Sequence, residues 1–266
     1  MSNRPTLRFP LVFVLGVARS GSTLLGRLLD SHPEILTLGE FLRLDRALRH
    51  GRPCSCGARV ERCDFWGPRL GWIEAETGYD FRRFTPDFYA RIARSAGARV
   101  ACDLSKTLTL KLTRGWRDRG EGYVFLVRDS RGVLASAARR GESVERLLNK
   151  HRRWMNRLYR FVQRRDERSL IVRYEELCTH PEQELRRLCE FIGIAFDASM
   201  LRPDDAPHHL VHVSDSPYLA GRNEISLDER WRGELAPALL GRIEARMESI
   251  EVFRATQAGS RWTRDP

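Results

Sequence analysis

Gly16-Val-Ala-Arg-Ser-Gly21-Ser22-Thr23 has the GxxxxG skeleton of a phosphate-binding loop, followed by two hydroxyl side chains. Backbone N–H groups in such a loop, with the positive end of the helix behind it, surround an anion at little reorganisation cost. A nucleoside-triphosphate enzyme carries lysine just after the second glycine to reach the outer phosphates, and here that position is Ser22. The loop offers Arg19 instead. A second anion site is written into Arg128-Asp-Ser-Arg-Gly-Val-Leu-Ala-Ser136, where a guanidinium fork and a hydroxyl converge on one phosphate. Two separated phosphate sites imply a bis-phosphorylated nucleotide. Lys106, in Asp103-Leu-Ser-Lys106-Thr, is placed to replace the missing loop lysine, the alternative being a solvated surface lysine; Ser105 beside it is a candidate helper. Asp129 is read as orienting Arg128 or capping the next helix rather than holding a metal.

These residues need elements that bring them to one edge. Phe9 to Gly16 is a short apolar run ending in glycine, the pattern of a strand buried on both faces of a parallel sheet, and it should be the central strand. Leucines at helical spacing follow the loop, and His32-Pro33 ends that helix. Further strands are read at the residues before Glu40, at Val100 to Cys102, at Tyr123 to Val127 and at Leu170 to Tyr174. Helices are read from Arg131 onward, across Glu142 to Arg168 with one apolar face, and from Pro181 to Phe191. Strands alternating with helices predict an α/β fold, a P-loop NTPase-like domain with a central parallel sheet flanked by helices. Ligands of such sheets bind at the C-terminal edge of the strands, where the loop, Arg128 and Lys106 all emerge. Pro203 to Asn223 reads as a long loop that could serve as a flap, and a terminal helix is expected around Pro237 to Ser249. A single domain is expected over residues 1–254, with 255–266 as a frayed tail.

The segment Arg19-Ser-Gly-Ser-Thr-Leu-Leu25 resembles the 5′-phosphosulfate loop of sulfotransferases that use 3′-phosphoadenosine-5′-phosphosulfate (PAPS), and Arg128 to Ser136 resembles their 3′-phosphate motif. Leu29-Asp-Ser-His-Pro-Glu34 and Arg173-Tyr-Glu-Glu176 extend the resemblance, which spans roughly Val12 to Gly193 and is nearest to bacterial, tyrosylprotein and carbohydrate sulfotransferases. The resemblance implies transfer of a sulfonyl group from PAPS to a hydroxyl or amine, leaving PAP. It assigns Arg19, Ser20, Gly21, Ser22 and Thr23 to the 5′-phosphosulfate, Arg128 and Ser136 to the 3′-phosphate, and Tyr174 to the neighbourhood of the adenine. It makes Glu40, in Leu38-Gly-Glu40, the base that takes the acceptor proton, with a structural ion pair as the alternative, and gives Lys106 the bridging oxygen of the leaving phosphate. Arg222, in Ala220-Gly-Arg-Asn223, matches only loosely a family segment that closes over the 3′-phosphate, the alternative being that it anchors the loop against the domain. A sulfonyl group carries less charge than a phosphoryl group, so no divalent metal is required for the transfer.

The formal net charge of +11 suits a polyanionic co-substrate, nucleic acid or an acidic acceptor. No nucleic-acid motif accompanies it, and the principal alternative is a P-loop small-molecule kinase or NTPase. The implied acceptor is a small molecule, carbohydrate, lipid or peptide. Pro10 to Val17 is too short to cross a bilayer and lacks signal-peptide flanks, so no transmembrane segment and a cytoplasmic location are expected. Cys54-Ser-Cys56 and Cys63, with His50 four residues ahead, allow a structural zinc, a redox disulfide or plain packing. The absence of the usual knuckle spacing favours packing. Phe65 and Trp66 in that segment are expected to wall the acceptor site, and other aromatics from Trp72 to Tyr89 to belong mostly to a helical core. His208, His209 and His212 read as a solvated loop, with metal binding or an acceptor contact as alternatives.

Overall fold

The computed structural model describes residues 6–116, 120–205, 207–212 and 225–257. Five parallel strands, β1 (Leu11–Leu15), β2 (Ile35–Thr37), β3 (Val100–Asp103), β4 (Glu121–Val127) and β5 (Ser169–Arg173), form one sheet in the order β2-β3-β1-β4-β5. The expected central strand is therefore central. Every residue of β1 and β4 is buried, which is why both read as continuous apolar runs.

The two faces are separate cores divided by the pleat. Leu11, Phe13 and Leu15 of β1 join Tyr123, Phe125 and Val127 of β4 on one face. Val12 and Val14 join Val124 and Leu126 on the other. Helices Pro86–Ser95 and Val144–Gln163 cover the first face, and helices Ser22–Asp30 and Pro181–Ile192 the second. Local signals set their ends: Asp129 accepts from the Arg131 N–H at 2.8 Å to cap helix Ser130–Ala138, and Pro181 opens a helix that Gly193 closes at φ 86°. Asp129 also pairs with the Arg131 side chain at 2.6 Å, so it caps and serves Arg131, not Arg128.

At the C-terminus, helix Pro237–Met247 is followed by a second helix, Glu251–Gln257. That last helix packs through Val252, which is fully buried, and through Glu251, which pairs with Arg160 of helix Val144–Gln163. Among the described residues no helix is long and apolar enough to cross a membrane.

Candidate active site

Residues 16–21 turn the chain from β1 into helix Ser22–Asp30. Gly21 sits at φ 93°, and a Cβ there would lie 2.4 Å from the Tyr174 ring, so only glycine permits the turn and the close approach together. Arg19 holds φ 71° despite its side chain. Lys106 at 56° and His212 at 52° share that left-handed geometry, so three of the four such non-glycine residues described stand around one site. Helix Ser22–Asp30 has no acidic residue in its first turn, which leaves its positive end open to an anion. Ser20 departs from the other loop residues: it is fully buried beneath the turn, its hydroxyl has no hydrogen-bond partner, and it does not line the cleft.

A cleft of about 570 Å³ opens above this loop and is lined by Arg19, Gly21, Ser22, Thr23, Glu40, Lys106, Arg128, Ser136 and Tyr174. All the sequence-assigned residues are thus gathered in one cavity except Ser20 and Arg222, and Arg222 lies outside the described residues. Arg128 leaves the end of β4 and donates through Nη1 to the carbonyl of Arg19 at 3.2 Å, tying the end of that strand to the loop after β1. Its guanidinium lies 4.2 Å from the centre of the Tyr174 ring. Tyr174 therefore stands between the loop and Arg128, where it wedges Gly21 on one side and supports the cation on the other.

Sequence reasoning missed the partner on the far side of Arg128. Asp228 pairs with Arg128 at 3.2 Å, Arg139 at 3.1 Å and Arg230 at 2.7 Å. The Arg230 hydrogen bond outweighs burial and, with Arg128, holds the Asp228 carboxyl far below the usual carboxylate range. A carboxylate thus sits within the cluster of cations around Arg128. Its signal in the sequence, Ser226-Leu-Asp-Glu-Arg230, has no spacing that links it to a residue 100 positions earlier.

Glu40 and Lys106 form the second half of the site. Gly39, at φ 76°, precedes Glu40, and any Cβ there would meet the Val211 carbonyl oxygen at 2.3 Å. That clearance lets the Glu40 N–H donate to Val211 at 2.8 Å, and Val211 N–H donate to Leu38 at 3.0 Å. The Glu40 carboxylate accepts from Lys106 Nζ through Oε1 and from Arg43 Nε through Oε2 at 2.8 Å, with His212 Nδ1 3.7 Å away. Burial pushes this carboxyl upward, but Lys106, Arg43 and His212 outweigh it and hold it below its ordinary range. Ser105 is buried: its hydroxyl accepts from Leu42 N–H at 3.0 Å and its own N–H donates to Asp103 at 2.7 Å, which fixes the turn after Glu40 to the end of β3.

A second cleft, about 740 Å³, adjoins the first and shares Ala18, Glu40, Lys106, Arg140 and Glu142 with it. Arg43, Arg46, Arg52 and His212 line its remaining wall. Arg140, twelve residues after Arg128, was not singled out in the sequence although it stands at the junction of both cavities.

Two expectations about this region change. Trp66 is fully buried and stacks on Phe41 at 5.4 Å, and Phe65 stacks on His209 at 5.3 Å, so neither walls a cleft; Arg52 and Pro53 represent that segment there. The histidines are not a solvated loop. His208 is buried and bonded to Asp30 at 2.8 Å, His209 faces the cysteines at 3.2 Å from Cys63 Sγ, and His212 lies beside Glu40.

The fold is that of an α/β protein of the P-loop type, with its phosphate loop after the central strand and its cleft at the C-terminal edge of a parallel sheet. The chain matches the sulfotransferase family over residues 10–103 and 122–198, and it belongs to that family. Protein-tyrosine sulfotransferase 2 of Gallus gallus is 27% identical over 216 residues, 76% of this chain and 56% of that protein. The chain spans about half the length of the curated relatives it matches, with 48% coverage of the Drosophila melanogaster protein-tyrosine sulfotransferase. Among solved structures, the sulfotransferase domain of the Synechococcus olefin synthase superposes with a TM-score of 0.68 at 25% identity, covering 96% of this chain and 98% of that one.

Proposed function

We propose that this chain is a PAPS-dependent sulfotransferase whose first cleft holds the donor and whose second cleft presents the acceptor. The observation that carries the reading is the position of Glu40 and Lys106 at the junction of two cavities, one of which also contains both anion sites. An in-line transfer needs donor and acceptor to meet from opposite sides of the moving group, with a base on one side and a cation at the leaving oxygen. The loop Arg19 to Thr23 takes the 5′-phosphosulfate, and Arg128 with Ser136 takes the 3′-phosphate. Filling the second site means displacing the Asp228 carboxylate from Arg128.

Glu40 accepts the acceptor's proton, the acceptor oxygen or nitrogen bonds to sulfur, and the bond from sulfur to the bridging oxygen breaks. Lys106 gives its hydrogen bond to that bridging oxygen as the phosphate leaves. Paired with Glu40, Lys106 keeps it a weak base. Turning the ammonium toward the donor relieves Glu40 of its strongest cation and raises its basicity when a base is needed. Arg43, Arg46 and Arg52 in the second cleft favour an acceptor that carries negative charge near its reactive hydroxyl or amine. Ser22 in place of the loop lysine speaks against a kinase.

Thermal shift tests the reading. PAP should raise the melting temperature progressively with the logarithm of its concentration above the dissociation constant, while ATP with Mg²⁺ and a short DNA duplex should leave it unchanged. Stabilisation by ATP with Mg²⁺ and none by PAP would remove the assignment.

A further inference from the structure

Cys54, Cys56, Cys63 and His209 place their ligand atoms within 4.8 Å of one another, a convergence outside the two clefts and apart from the chemistry assigned to them. Cys54 and Cys63 are buried and Cys56 is exposed, and none of the three is in a disulfide. Cys56 Sγ lies 3.7 Å from Cys63 Sγ. His209 Nδ1 lies 3.2 Å from Cys63 Sγ and 4.0 Å from Cys54 Sγ. A tetrahedral zinc with bonds of about 2.3 Å to sulfur and about 2.0 Å to nitrogen has ligand edges of roughly 3.5 to 3.8 Å, so the separations bracket that geometry.

We propose that these four residues form a structural Cys₃His zinc site that fastens the segment 50–66 to the loop 207–212. Three thiols gathered only by apolar packing have no reason to surround one imidazole nitrogen. The donors are also held in place by their surroundings. Trp66 Nε1 donates to the His209 carbonyl at 2.6 Å, and the His209 ring lies parallel to Phe65, at 11° between planes, which aims Nδ1 at the sulfurs. On the other side, Ser55 N–H donates to the Leu210 carbonyl at 3.1 Å, Leu210 N–H donates to Ser55 Oγ at 2.8 Å, and Ser55 Oγ donates to the His208 carbonyl at 2.7 Å. The Cys54–Gly57 turn is closed by Gly57 N–H donating to the Cys54 carbonyl at 2.9 Å.

Coordination needs no oxidant: each thiol releases its proton to solvent and each thiolate donates its electron pair to the ion. Three thiolates and a neutral imidazole leave the complex with a single negative charge. Arg69, which lies 3.9 Å from the centre of the Phe65 ring, is a nearby cation to balance it. The exposed Cys56 gives the ion an entry path. Because the loop carrying His209 continues into Val211, which bonds both Leu38 and Glu40, the site also braces the strand end that presents Glu40. His209, not His50, is the fourth ligand. The proposal is independent of the nucleotide reading.

The test uses the whole chain purified with its thiols reduced. Elemental analysis should find about one zinc per chain. After removal with a chelator, Co²⁺ alone should restore a thiolate-to-metal charge-transfer band and the d–d absorption of tetrahedral cobalt, and Zn²⁺ should displace it. Metal removal should lower the melting temperature by about 10 °C, reversed by Zn²⁺. Cys56→Ser, at an exposed position, should reduce zinc affinity by about 100-fold or more. Should that variant not fold, the cobalt spectrum of the unaltered chain decides. Substoichiometric zinc in a fully reduced chain, octahedral cobalt, full zinc retention in Cys56→Ser, or a Cys56–Cys63 disulfide found by mass spectrometry in the native protein would each overturn the assignment.

Discussion

Replacing Glu40 with glutamine keeps shape and volume while removing one unit of charge and the site's proton acceptor. That carboxylate holds Lys106, holds Arg43 at 2.8 Å and faces His212 at 3.7 Å. Glutamine can accept one of these hydrogen bonds but cannot neutralise the cations or take a proton. Loss of a general base costs about 10²- to 10⁴-fold in turnover, which at about 1.4 kcal/mol per decade is about 3 to 6 kcal/mol in the barrier. PAP affinity should stay the same or tighten, because the variant removes a negative charge from the cleft that receives a polyanion. The assay follows transfer from labelled PAPS, with the acceptor drawn from an extract of the source organism, and measures PAP binding separately by calorimetry. Lys106→Met supplies the cross-check. With its main cation gone, Glu40 stays buried and its carboxyl rises, so the acid limb of kcat/KM should move up in pH. In the unaltered chain Glu40, held below 4.5, should stay ionised throughout the neutral range and give no limb there. The double variant should lose less than the product of the two single losses, since the pair acts as a unit. Turnover in Glu40→Gln within a factor of about ten of the unaltered enzyme would refute the reasoning.

Arg128→Ala should weaken PAP binding by about 10- to 100-fold, the worth of a charge-assisted hydrogen bond, whereas Asp228→Asn should strengthen it by removing the carboxylate that competes for the same guanidinium; equal affinities in Asp228→Asn and the unaltered chain would dismiss that competition. His151 is buried against Ser130 Oγ at 2.9 Å, and burial lowers its pKa from 6.5 to about 4. The native state therefore resists a proton that the unfolded chain accepts, so this residue withdraws about 3 kcal/mol of stability as pH falls from 6.5 through 4. Asp103, raised by burial from 3.8 to about 6, acts with the opposite sign over much of the same range, so the measurement is the difference between His151→Gln and the unaltered chain in urea denaturation at pH 7 and pH 4. That difference should move toward the variant on acidification; a constant difference would show that His151 is protonated in the folded protein.

The strands, the loop between β1 and its helix, and the arrival of Arg128 and Lys106 at one sheet edge were all legible in the sequence. The reason is physical: a buried parallel strand reads as a continuous apolar run, and a phosphate loop needs glycine where the backbone turns left-handed, so both constraints act within a few residues. Other features could not be read that way. Cys63 meets His209 across 146 residues, and Arg128 meets Asp228 across 100. Which histidine reaches the cysteines depends on where a loop returns after five strands and their crossovers have packed. His50 was the nearer candidate in the chain, and the fold brought His209. Likewise Glu40 could be named as a carboxylate near a strand end, but its place between two cavities, beside Lys106, Arg43 and His212, exists only once β2 and β3 are paired and Val211 has docked on Gly39. Local sterics and burial patterning decided the elements; long-range packing decided which charges and thiols meet.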